Sequence, residues 1–243
     1  MPAALAPAQP SVEVFESGDA ALRVVPSSSD REANWATVHA LAEWLEVAGA
    51  DGVQGAVPTY DSLLVEFDPG VTSARQVRAF VLLGLRQLEF TGVPSRVPRE
   101  FTVPVVYGGE YGPDLERVAG QQQLSVQEIV ELHTDKSYVI RCLGAPAGSP
   151  MMDGPDFPFA VPRLKDPRLS VPAGAVSVAG RQAVIAPAVA PGGWCVIGQT
   201  PLTVLDPAKE PLVPYVPGDL LRFHQIQPEE FADYAGRKLE AAR

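Results

Sequence analysis

The chain has 243 residues, 46% of them hydrophobic, with 21 glycines, 25 prolines and a formal net charge of −10. Glycine and proline make up about a fifth of it, well above the usual ~12%, which excludes a helical bundle and calls for β-structure with short connections. The acidic balance and the lack of any basic run exclude a nucleic-acid partner, whose affinity would draw on clustered Lys and Arg.

Such a length accommodates two domains, each able to bury a core of its own. The Ala/Pro-rich start, residues 1–11, is expected to be a loose tail. It lacks the features of a secretion signal, and no later segment approaches the ~18 apolar residues of a membrane span, so a cytoplasmic protein without membrane contact is expected. Cys142 and Cys195 each sit in an apolar run and read as buried thiols.

After the tail, Ala21 to Pro26 reads as a strand. Ser29 and Glu32 form a capping box, and Trp35, Val38, Leu41, Ala42 and Leu45 follow at helical spacing. Strands are expected at Val53 to Val57 and Ser62 to Phe67. A second capping box, Ser73 with Gln76, opens a helix with Val77, Phe80, Val81, Gly84, Leu85 and Leu88 on one face. A further strand spans roughly Arg96 to Tyr107. The resulting βαββαβ order predicts a ferredoxin-like α+β domain over residues 12–98.

Beyond it, Pro113 and Asp114 are suited to start a short helix, and Ser125 with Glu128 caps another. From Tyr138 to Ile226 short Val/Ile/Leu runs alternate with Gly and Pro turns, which predicts a compact β-barrel over residues 99–227. Residues 228–243, opening on Pro228-Glu229-Glu230, read as a terminal amphipathic helix.

His39, His133 and His224 are far apart and none has a partner at ligand spacing, so no metal site is expected. The Walker, dinucleotide and nucleophile-elbow patterns are absent. Three stretches remain. In "VPRLKDPRLSVPAGAV" Arg163 and Arg168 each follow a proline, which fixes the backbone direction of a guanidinium suited to an anion or to a local acid. His133 ends its helix, where it either caps the helix as a cation or carries a proton. In "APGGWCVIGQT" Gly192 and Gly193 allow close approach or a positive φ, and Trp194 either packs in the core or stacks on a ligand.

Several segments together are similar to the allophanate hydrolase subunit 1 family, which includes the B-type subunits of 5-oxoprolinase and a sporulation kinase inhibitor. They are "GDAAL", "SLLVEFDP" (Ser62 to Pro69), "VPVVYGGEYGPDLERVA" (Val103 to Ala119), "IVELHTDKSYVI" (Ile129 to Ile140), "PRLKDPRLSVPAGAVSVAG" (Pro162 to Gly180), "APGGWCVIGQT" and "VPGDLLRF" (Val216 to Phe223). The resemblance implies a small α+β domain followed by a cyclophilin-like β-barrel. It also implies a C-type partner, similar to allophanate hydrolase subunit 2, an A-type 5-oxoprolinase partner, and ATP shared with those partners. The implied activity is ATP-dependent hydrolysis of a small amide, with 5-oxo-L-proline opened to L-glutamate. Inhibition of a histidine kinase and a carboxyltransferase role in urea carboxylation are the alternatives within the family.

On this reading His133, Arg163 and Arg168 are the expected catalytic residues. Gly180, Gln182, Pro191, Gly192, Gly193, Trp194 and Thr200 are the expected substrate- or nucleotide-binding set. The chain departs from the family in "LGAPAGSPMMDGPD", where Ala145, Ser149 and Met151 stand in place of aromatic residues. Gln199 stands where an arginine is common.

Overall fold

The computed structural model describes residues 10–91 and 96–242; most of the expected tail, residues 1–9, lies outside them. The chain divides into two compact units, residues 1–96 and 97–243.

In the first unit, strands β1 (Val12–Glu16), β2 (Ala21–Pro26), β3 (Val53–Pro58) and β4 (Leu63–Phe67) form an antiparallel sheet in the order β1-β2-β4-β3. Helices α1 (Arg31–Ala48) and α2 (Ala74–Thr91) cover one face. Period-two alternation sends Leu22, Val24, Leu63, Val65 and Phe67 toward Val38, Leu41, Leu45, Val77, Val81 and Leu85 of the helices. The cap of α1 falls one residue later than the sequence suggests. Asp30, rather than Ser29, accepts from the amides of Glu32 and Ala33 at 3.0 and 3.1 Å, and a carboxylate there also complements the helix dipole.

The expected ferredoxin-like βαββαβ order is not found, because the unit reads ββαββα. The edge place beside β2 goes to β1, and the strand assigned to the end of this domain, β5 (Glu100–Tyr107), belongs to the second unit. The physical reason lies in β5 itself. Val103, Pro104, Val105 and Val106 are buried in succession, so both faces of the strand need cover, whereas a four-stranded sheet with helices on one side covers only one.

The second unit is a closed barrel with strand order β10-β7-β6-β13-β5-β12-β9, in agreement with the cyclophilin-like architecture expected. Its remaining members are β6 (Ser137–Gly144), β7 (Ser149–Asp153), β9 (Ala175–Ala179), β10 (Gln182–Ile185), β12 (Cys195–Gln199) and β13 (Leu220–Gln225). Only β5 and β13 pair in parallel among these neighbours. The core takes Phe101, Val103, Val105, Tyr138, Ile140, Met152, Val176, Val178, Ala183, Ile185, Cys195, Ile197, Leu221 and Phe223 from the strands. Helices α3 (Leu115–Gln122) and α4 (Val126–Thr134) pack Leu115, Val118, Ile129 and Val130 on the same core. Both elements of the Ser125–Glu128 capping box are present. Both cysteines are buried as free thiols.

A two-stranded ribbon, β8 (Arg168–Val171) with β11 (Ala190–Gly192), stands outside the barrel. Val171 packs with Ala175, Ala186 and Val196 in a small separate cluster.

The expected terminal helix is a 3-10 turn at Pro228–Glu230 and one helical turn, α5 (Phe231–Tyr234). Gly236 at φ 76° ends it. The segment then runs extended, bridging Lys238 to Thr203 and Ala241 to Phe101, with Leu239 buried in the barrel core. The strand bridges and the burial of one leucine override a helical pattern that had only a few apolar positions to support it.

Gly112 positions the start of α3. A Cβ there would collide with the backbone carbonyl of Ile197 on β12, and backbone has no rotamer with which to yield. Gly112→Ala should therefore lower unfolding free energy by about 2–3 kcal/mol in chemical denaturation; wild-type stability would show that the α3–β12 contact is slack.

Candidate functional site

The residues of "APGGWCVIGQT" and the ribbon enclose a cleft of about 390 Å³ on the barrel's outer wall. Its lining includes Arg163, Val171 and Ala190 to Trp194 from the ribbon side, and Ala145, Pro146, Ser149, Met151, Ser177, Val184 and Ala186 from the barrel side. The floor follows from register. Ser177 pairs with Val184, and Val184 with Met151, while their neighbours Val176, Val178, Ala183, Ile185 and Met152 fill the barrel core. Alternation along each strand therefore turns the row Met151–Val184–Ser177 outward.

Arg163 is exposed and lies over the face of Trp194, 5.7 Å from the ring centroid, within range of a cation–π contact. It forms no salt bridge among the described residues, so its charge is available to a ligand. Tyr215, buried in the core, donates to the carbonyl of Gly148 at 2.7 Å and fixes the turn bearing Ala145 and Pro146. Ser149 donates to the Ile185 carbonyl at 2.9 Å.

Arg168 is turned to another task. Its two terminal nitrogens donate to the two carboxylate oxygens of Asp114 at 2.7 and 2.8 Å. Asp114 is 5% exposed and also accepts from the amide of Val196 at 2.7 Å, while its own amide donates to the Val196 carbonyl at 3.0 Å. Arg168 stands opposite Gly192 in the ribbon. One carboxylate thus ties down both flanks of the Gly193-Trp194 corner. Read from sequence as a helix start, Asp114 makes no side-chain cap bond.

His133 is fully buried, and burial pushes its pKa down to about 3. The ring packs on Phe223 at 4.4 Å and shares a 2.7 Å hydrogen bond with the Tyr107 hydroxyl. Desolvation outweighs the helix dipole and keeps the ring neutral, against the expectation of a helix-end cation. Nε2 has no hydrogen-bond partner among the described residues.

Of the expected binding set, Pro191, Gly192, Gly193 and Trp194 line the cleft with Arg163. Neither glycine has a positive φ; both lie in or next to an extended strand, so their use is close approach. Gly180, at φ 59°, exchanges two backbone hydrogen bonds with Val161. Gln182 pairs with Ala179 and Asp153 at the start of β10. Thr200 is buried, with Oγ1 accepting from Leu202. None of these three lines the cleft, and neither do Arg168 and His133. Gln199 donates to the Ala173 carbonyl at 2.8 Å. The three departures noted in "LGAPAGSPMMDGPD", Ala145, Ser149 and Met151, all face the cleft. Ser177 escaped the sequence reading; its signal was a lone hydroxyl inside the apolar run "AVSVA".

Two outcomes follow. Arg168→Ala should cost about 2–3 kcal/mol, because it leaves the nearly buried Asp114 carboxylate without its counter-charge, and Arg168→Lys should restore only part of it because lysine cannot fork. A loss under about 1 kcal/mol, typical of an exposed pair, would contradict the clamp. For His133, the unfolded chain takes up a proton near pH 6.5 that the native chain refuses until about pH 3. Stability is therefore lost as pH falls through that window, with a slope of about 1.4 kcal/mol per pH unit from this group. The stability gap between wild type and His133→Gln should narrow on acidification; a gap independent of pH would contradict it.

The relatives bear on this geometry. Residues 12–215 match the model of the carboxyltransferase domain, subdomain C and D. The B-type 5-oxoprolinase subunit of Bacillus subtilis (strain 168) is 34% identical over 232 residues, which is 91% of this chain and 96% of that protein. Among solved structures, TTHA0988 is 32% identical with a TM-score of 0.72, over 85% of this chain and 39% of that one, so this chain spans about two fifths of its length. The Kluyveromyces lactis urea carboxylase, at 16% identity and a TM-score of 0.73, covers 96% of this chain and 24% of its own and is alike in fold. By the extent of the first match and the identity of the second, this chain belongs to the carboxyltransferase-domain family, subdomains C and D.

Proposed function

We propose that the chain is the B-type component of a 5-oxoprolinase complex, which with C-type and A-type partners hydrolyses 5-oxo-L-proline to L-glutamate with ATP. The observation that carries the reading is the near full-length similarity to the Bacillus subtilis protein of that kind. The cleft supports it by placing one unpaired guanidinium beside an apolar hollow, which suits a small acid with a ring body.

In this reading Arg163 holds the substrate carboxylate, and its stacking on Trp194 limits the entropy lost when the two engage. Trp194, Val184, Met151 and Pro146 exclude water from the ring, so the same charge acts in a lower dielectric. Gly192 and Gly193 let the ribbon backbone come close. The cleft offers one cation, too few for a triphosphate, so the nucleotide is assigned to the assembled complex and no step on it is drawn through this chain. His133 and Arg168 serve the fold in this scheme.

Mixing the purified chain with its partner subunits, ATP and 5-oxo-L-proline should release glutamate and ADP together, and omitting the chain should stop both. Arg163→Met should lower kcat/KM by about 10- to 100-fold, the usual worth of a charge-assisted hydrogen bond. Equal turnover without the chain, or none with every component present, would overturn the proposal.

A further inference from the structure

Ser177 is 5% exposed, and its hydroxyl has no hydrogen-bond partner among the described residues, although it faces the cleft. Its neighbours on the floor, Val184 and Met151, offer it none, and Ser149, the other serine in the cleft, is already bound to Ile185. A hydroxyl that no protein group engages, on a side chain otherwise covered, is open to a ligand's polar group. The cleft therefore has two side-chain polar points without a hydrogen-bond partner, a cation at Arg163 and a hydroxyl at Ser177, within a wall that is otherwise Ala, Pro, Val, Met, Gly and Trp with the already engaged Ser149.

We infer that this chain by itself binds small acids carrying an amide: Arg163 takes the carboxylate, and Ser177 takes the amide, donating to its carbonyl oxygen or accepting from its N–H. This rests on the 5-oxoprolinase reading only for the choice of 5-oxo-L-proline as one member of the class. A hydroxyl can serve either as donor or acceptor, so the subsite accepts a cyclic or an acyclic amide. Apolar contact with Trp194, Val184 and Met151 takes up the carbon body between the two groups.

The full chain, without partner subunits, can be titrated and followed by ligand-observed NMR with four probes: 5-oxo-L-proline, N-acetylglycine, cyclopentanecarboxylate, which lacks the amide, and 2-pyrrolidinone, which lacks the acid. The two amide acids should bind about tenfold more tightly than either fragment, the usual value of one net hydrogen bond. Ser177→Ala should bring the amide acids down to the level of cyclopentanecarboxylate and leave cyclopentanecarboxylate unchanged. Arg163→Met should erase their advantage over 2-pyrrolidinone. The Ser177 change removes one atom from a wall position, and a thermal melt equal to wild type accompanies the expected result.

Amide acids that bind no better than cyclopentanecarboxylate, or a Ser177→Ala protein that binds them unchanged, would overturn the inference, as would no binding of any probe. If N-acetylglycine binds with both dependences and 5-oxo-L-proline does not, the subsite stands and the 5-oxoprolinase reading loses its substrate. If both bind as stated and the reconstituted complex is inactive, the failure again belongs to that reading alone.

Discussion

Asp114 is the point on which the cleft depends. A carboxylate that is nearly buried is costly unless its oxygens are all engaged, and here they are met by both arms of Arg168 and by the amide of Val196. The requirement runs both ways: Asp114 needs these donors, and so the ribbon strand that carries Arg168 and the start of β12 are held in fixed relation. Gly192, Gly193 and Trp194 lie between the two fixed points. A surface ribbon of two short strands has too little hydrogen bonding of its own to keep a definite place. The small cluster of Val171 with Ala175, Ala186 and Val196 adds apolar contact to the same attachment.

The make-up of the cleft floor follows from side-chain alternation along the barrel strands. Alternate side chains of the strands fill its interior with branched and aromatic residues, as is usual for a barrel of this size. The cleft lies on the outer wall, where the same alternation presents Met151, Val184 and Ser177. The ribbon converts this flat face into a concave one. Arg163, lying over Trp194 at the rim, is the one cation that the arrangement presents to the hollow without an acid to match it.

The sequence made much of this legible. Turn density and short apolar runs indicate the barrel, two of the three capping boxes stand as read, and "APGGW" with Arg163 marks the cleft. What it could not show depends on long-range contacts. Whether β5 closes the first sheet or enters the barrel is decided by cover on its second face, which involves partners more than ninety residues away. Arg163 and Arg168 look alike in sequence, each after a proline, yet one faces the hollow and the other meets an acid fifty-four residues earlier. His133 reads as a helix-end cation until Tyr107, Tyr138 and Phe223 enclose it. Ser177 is one hydroxyl in an apolar strand, and only the strand register shows that it faces the cleft.

The central claim, that one buried carboxylate holds the cleft's ribbon in place, is tested most directly by amide hydrogen exchange on Asp114→Asn. That change keeps the shape of the side chain and removes its charge. The account predicts faster exchange confined to β8, β11 and the Val196 amide, with β5 and β13 still protected. Unchanged exchange across the ribbon, or a uniform loss of protection over the whole barrel, would contradict it.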